Sequence, residues 1–234
     1  MNKKEIINAI FYPRKSHKEQ DSKDFIITVS DRNRVGCRMF LKDRSFHNIL
    51  FFHGNAEIAQ EYDDIAALYH RNNCNLIVSD YRGYGLSTGT SDRDNLLTDS
   101  IEVFDFTQNY LRDNGFLEQV VVMGRSLGSA SAWEIAYNRK DRIKAIIIES
   151  GFTTEYPLLD LLGVSPDLID FKLSDGFNSL KKIKKYEKPA LIIHAEKDHI
   201  VPLSEGEIAY KKVLSKNKKI VVVESANHNN IIHC

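Results

Sequence analysis

The chain has 234 residues, of which 42% are hydrophobic and 27% charged, with 32 Lys plus Arg against 32 Asp plus Glu. That length suits a single α/β domain whose core is large enough to need no staple. The even charge balance removes the usual electrostatic reason to expect nucleic acid or an anionic membrane as a partner.

No run approaches 18 apolar residues, so no membrane span is expected. The two lysines near the N-terminus are followed by no apolar stretch, which argues against a secretory signal. Three cysteines, Cys37, Cys74 and Cys234, lie far apart without metal-ligand spacing. Reduced thiols in a cytoplasmic protein, with no metal or organic cofactor, are the expectation.

In chain order, β-branched runs predict strands over 24–29, 35–41, 48–52, 76–79, 120–123, 145–148, 190–194 and 220–223. The first two are joined by a short polar connection and read as an antiparallel hairpin at one edge. The last six are nearly continuous apolar runs, as in strands covered on both faces. Between them lie helical stretches. One is capped at Ser91-Asp92, carries Leu97, Ile101, Phe104 and Leu111 at helical spacing, and ends before Gly115. Others are expected over about 127–137 and 205–214. Strand–helix alternation from residue 48 onward predicts a mostly parallel, doubly wound sheet. Residues 151–186 are longer than one crossover needs and rich in leucine. They are read either as a small cap over a site or as extra surface helices.

Gly124-Arg125-Ser126-Leu127-Gly128 is a G-x-S-x-G flanked by the strand VVVM and a helix, the context a nucleophile elbow requires. A serine hydroxyl needs a base to take its proton. In this arrangement the chain order is serine, acid, histidine. Asp198 and His228 follow the strands ALIIH and IVVVE by four residues each, which sets both on loops at the strand ends where ligands of open α/β sheets bind. Glu149 is the competing acid and His199 the competing base; chain order favours Asp198 and His228. His194 reads as a packed histidine, and His17, His47, His70 and His233 have no partner pattern. Oxyanion donors are expected from the main-chain N–H of Leu127 and of Asn55, in the glycine-bearing loop after ILFF, with His53 buttressing that loop.

Taken together, FFHGNAE (51–57), DYRGYGLSTG (80–89), GRSLGS (124–129), ESGFTT (149–154), EKDHIVP (196–202) and the final Asn-His pair (227–228) resemble the α/β-hydrolase superfamily. The resemblance runs from about residue 35 to the end. It is greatest to small serine hydrolases related to depalmitoylating α/β-hydrolase-domain proteins and to prolyl-oligopeptidase-like catalytic domains. It implies an α/β-hydrolase fold with an eight-stranded sheet and a small cap. It also implies a Ser126–His228–Asp198 triad that hydrolyses a small-molecule acyl ester or thioester without a cofactor; a peptidase or amidase on the same fold, and a non-catalytic binding protein on a hydrolase scaffold, are the alternative readings. Such proteins often have proline where Gly151 stands. Members with an N-terminal membrane anchor exist, and none is expected here. They usually continue past the histidine with a further helix, so residues 225–234 are expected to pack less well than the elbow.

Overall fold

The computed structural model describes residues 2–233; Cys234 lies outside the described residues, as does the side chain of His233. Eight strands form one sheet: β1 (Asp24–Thr28), β2 (Arg34–Phe40), β3 (His47–Phe52), β4 (Cys74–Ser79), β5 (Val120–Arg125), β6 (Ile143–Glu149), β7 (Ala190–Ala195) and β8 (Lys218–Val223). Their spatial order is β1-β2-β4-β3-β5-β6-β7-β8. The β1–β2 and β2–β4 pairs are antiparallel, and every other pair is parallel. This is the α/β-hydrolase fold, and each of the eight apolar runs became a strand.

The helices are α1 (Lys3–Asn8), α2 (Ala66–Arg71), α3 (Arg93–Asp113), α4 (Gly128–Asn138), α5 (Tyr156–Leu161), α6 (Ser179–Ile183) and α7 (Leu203–Lys212). Asp92 is the residue that caps α3, its carboxylate accepting from Asn95 N at 2.7 Å. Buried Leu96, Val103, Phe104 and Leu111 turn one face of α3 into the core. Helix α4 packs on β3, β5 and β6 and α3 packs on α4; Leu50, Val122, Ile146 and Ile192 are fully enclosed. Helices α1 and α2 carry no long apolar period, and the sequence pattern did not reveal them.

Segment 151–186 divides in two. Helix α5 and the turn after it supply Leu158, Leu161 and Leu162 to the wall of a cavity at the sheet's carboxyl edge. Helix α6 instead packs against α4 and α7, as an ordinary crossover helix would. Of that segment, only the first part borders the cavity.

Candidate active site

Strand β5 and helix α4 meet at Ser126, whose φ of 49° lies in the left-handed region. A non-glycine residue adopts that conformation only when its surroundings impose it. Here a Cβ at Gly124 would run into the Gly128 carbonyl, and one at Gly128 into the Phe52 carbonyl. The two glycines let strand and helix close tightly around the serine. Ser126 N donates to Glu149 O at 2.9 Å, and Ser129 N donates to Ser126 O at 3.0 Å. The turn is thus anchored on both sides.

Asp198 and His228 sit on the loops after β7 and β8, as chain order requires, and the structure brings them together. His228 Nδ1 lies 2.7 Å from Asp198 Oδ2. The other carboxylate oxygen, Oδ1, accepts from Ile200 N at 3.0 Å and Val201 N at 2.8 Å. Burial alone would raise the Asp198 pKa, but the His228 hydrogen bond and these amides outweigh it and hold the carboxyl below its usual range. An ionised Asp198 can only accept, so the His228 Nδ1 that faces it is the donor in this contact. Ser126, His228, Asn55 and Leu127 all line one cavity of about 360 Å³. Among the described residues, Ser126 and His228 share this cavity without a hydrogen bond between them.

The competing candidates go elsewhere. His199 is exposed. His194 is buried, with Nε2 at 2.9 Å from Val201 O, and burial lowers its pKa so that it stays neutral. Glu149 is the neighbour of Arg125 across the β5–β6 register and accepts from Arg125 Nε at 3.0 Å.

Arg125 joins the three loops of the site. Its guanidinium also pairs with Glu57 and donates to the main-chain carbonyl of His228. Glu57 in turn accepts from Gly54 N at 3.0 Å and from the Tyr62 hydroxyl. Burial pushes the Glu149 pKa up against the pull of Arg125. The variable position of the G-x-S-x-G carries no pattern by which the sequence could have marked this role.

The loop holding Asn55 is fixed from below and from outside. Beneath it, His53 is fully buried, with Nδ1 at 2.7 Å from Gly54 O and Nε2 at 3.1 Å from Asp80 Oδ1. Burial disfavours charge on the ring, but Asp80 and the Gly54 carbonyl outweigh that and raise its pKa. Both ring nitrogens face acceptors, so the imidazolium suits the site. Gly54 O and Asn55 N–H belong to one peptide unit, so this contact fixes the plane in which the proposed donor points.

From outside, residues 10–12 lie along the loop. Asn55 Oδ1 accepts from Tyr12 N at 3.0 Å and from the Tyr84 hydroxyl at 2.6 Å, and its Nδ2 donates to Ile10 O. Ile10 and Tyr12 line the cavity beside Leu158, Leu161, Leu162 and Ile200. Sequence reasoning missed these two residues, because they lie upstream of every recognisable motif.

An eight-stranded, mostly parallel sheet with a glycine-flanked serine at its carboxyl edge defines the α/β-hydrolase class, and the chain belongs to that family. Residues 44–159 match the family described as serine aminopeptidase, S33. The chain is similar to alpha/beta hydrolase domain-containing protein 17B of Homo sapiens, 30% identical over 224 residues that cover 92% of this chain and 73% of that protein. It is also 31% identical to domain-containing protein 17C of Mus musculus over 223 residues, 92% of this chain; the match spans 65% of the mouse protein's length. Among solved structures, the Pyrococcus furiosus esterase Pf2001 superposes with a TM-score of 0.72 at 20% identity, covering 94% of this chain and 91% of that one. Est1E from Butyrivibrio proteoclasticus gives 0.69 at 18%, covering 90% and 93%. The last two likenesses concern the fold.

Proposed function

We propose that this hydrolase cleaves a carboxylic ester or thioester through an acyl-enzyme. Ser126 Oγ attacks the acyl carbonyl while His228 Nε2 takes its proton; Asp198 orients the imidazole and stabilises the imidazolium. The tetrahedral oxyanion receives the main-chain N–H groups of Asn55 and Leu127. His228 then returns the proton to the leaving alcohol or thiol, and water repeats the sequence to release the acid.

The observation that carries this reading is the 2.7 Å His228–Asp198 contact at a cavity shared with the left-handed Ser126. The apolar walls from Ile10, Leu158, Leu161, Leu162 and Ile200 favour an acyl chain. A peptidase is the second reading, supported by the description of the matching family. The cavity argues against an aminopeptidase: its carboxylate, Glu57, is already neutralised by Arg125 and is poorly placed to hold a substrate ammonium.

Labelling by a fluorophosphonate probe tests the mechanism. Wild type should label and Ser126→Ala should not; labelling of a correctly folded Ser126→Ala protein rules out Ser126 as the nucleophile. Hydrolysis of aminoacyl amides faster than the matching esters would favour the peptidase.

A further inference from the structure

The zero net charge conceals a strong segregation. The stretches 139–144, 181–188 and 211–219 together hold fourteen lysines and arginines against two carboxylates, Asp141 and Glu187. Each of them leads into one of the adjacent strands β6, β7 and β8. They therefore gather at the edge where these strands begin, opposite the edge that bears Ser126.

Contacts tie them into one surface. Lys188 Nζ donates to Ile143 O at 2.9 Å, and Leu214 N donates to Tyr186 O at 3.0 Å. Lys185 Nζ lies 5.3 Å from the centre of the Tyr137 ring.

Part of this basicity has a structural reason. Lys211 and Lys212 stand in the last turn of α7, where cations complement the helix dipole. Lys218 Nζ donates to the Tyr210 and Val213 carbonyls at the end of the same helix. Those roles do not extend to Lys140, Lys144, Lys184, Lys216 and Lys219, which are exposed. Among the described residues of these stretches, only Arg139, Arg142, Lys182 and Lys211 are paired with a carboxylate. A surface that crowds like charges and leaves most unpaired is electrostatically costly unless an anion meets it.

Two large apolar side chains stand among these lysines: Leu214 is 57% exposed and Tyr137 37%. Phosphates of a nucleic acid offer nothing for Leu214. A phospholipid surface offers anionic head groups for the lysines and an apolar boundary for a leucine and a tyrosine.

We infer that this edge is a mooring surface for an anionic lipid bilayer. Bound in this way, the protein directs the Ser126 cavity away from the lipid and toward the aqueous phase. The inference does not depend on the proposed chemistry, since it uses none of the residues around Ser126.

Sedimentation of the purified protein with vesicles tests it. Binding should be strong to vesicles containing about a third phosphatidylglycerol and weak to pure phosphatidylcholine. It should fall steeply as salt rises from about 0.1 M to about 1 M. Each lysine contributes about 5-fold to partitioning. Replacing Lys184, Lys185, Lys216 and Lys219 by glutamate should therefore weaken binding by about 500-fold or more, while hydrolysis of a soluble ester and the melting temperature stay unchanged. Leu214→Ser should weaken binding about 10-fold with the salt dependence intact. Absence of binding to the anionic vesicles overturns the inference. So does equal binding by the four-glutamate variant, or binding to duplex DNA without binding to vesicles. Because esterase activity is measured separately, a wrong mechanism and a wrong mooring surface give different results.

Discussion

The guanidinium of Arg125 holds the main-chain carbonyl of His228, so the residue before the proposed nucleophile fixes the loop of the proposed base. Arg125 is mostly buried and also binds Glu149 and Glu57. We expect Arg125→Gln to lower kcat by about 100-fold, the scale of a misplaced catalytic group. The same change strands the buried carboxylate of Glu149 and removes the cation beside the half-buried Glu57, and should cost about 3 kcal/mol of stability. The double variant with Glu149→Gln should recover part of the stability and none of the rate. Steady-state kinetics with denaturant unfolding decide this; a kcat within threefold of wild type removes Arg125 from the positioning role.

Asp198→Asn and Glu149→Gln separate the two candidate acids. Asp198→Asn leaves the imidazole in the wrong tautomer and should reduce kcat by about 10⁴-fold. Glu149→Gln keeps an acceptor for Arg125 and should cost far less. The opposite ranking, measured on one ester, would move the acid to the end of β6.

Asn55 contributes two things, a main-chain N–H and a side chain bound to residues 10–12. Asn55→Ala keeps the first and removes the second. We expect kcat to fall roughly 10- to 100-fold, a fraction of what loss of a whole oxyanion donor brings, with KM for a small acetyl ester little changed. A change confined to KM would make the Asn55 side chain a binding group.

Chain-length selectivity follows from the cavity. Each methylene buried against Leu158, Leu161 and Leu162 is worth about 0.8 kcal/mol, or about fourfold in kcat/KM, until the space is filled. In a series of p-nitrophenyl esters kcat/KM should climb from acetyl and then level. A flat series would mean the acyl group lies outside this cavity. Leu161→Asp should flatten the climb with the acetyl ester unaffected.

Glu155, at the base of the cap, predicts a pH effect on stability. It is fully buried, its Oε1 accepts from Phe177 N at 2.6 Å, and Oε2 has no partner. Burial raises its pKa from 4.5 to about 7, against the pull of the Phe177 amide, Lys182 and Arg93. Between these two values the folded chain keeps a proton that the unfolded chain has lost, so its contribution to stability falls as pH rises through that window. The full penalty, about 3 kcal/mol, applies above it. Melting temperatures of wild type and Glu155→Gln should converge near pH 5 and separate near pH 8, the variant then being higher. An equal gap at both values would sink the idea.

What the sequence disclosed follows the range of its interactions. Apolar runs are local, and all eight strands were legible from them. The loops of Asp198 and His228 were legible because chain order in a parallel sheet converts sequence into position. Glu149 was correctly placed at a strand end beside the site; its partner was not, because cross-strand register puts Arg125 next to it and no periodicity reports register between distant strands. Ile10 and Tyr12 escaped notice because their bonds to Asn55 span more than forty residues. The basic edge was hidden by summation, since a total charge of zero discards where the charges lie.

The stitching of Asn55 to Tyr12 and of Arg125 to His228 has a temporal consequence. Chains emerge from the ribosome beginning with their N-terminus. Residues 10–12 are available early, yet the proposed base, His228, arrives 102 residues after Ser126. On the proposed mechanism, a nascent polypeptide can close the Asn55 loop and form the elbow and still hydrolyse nothing. Activity then reports the moment at which β8 docks beside β7, so the appearance of turnover during synthesis times the completion of the sheet.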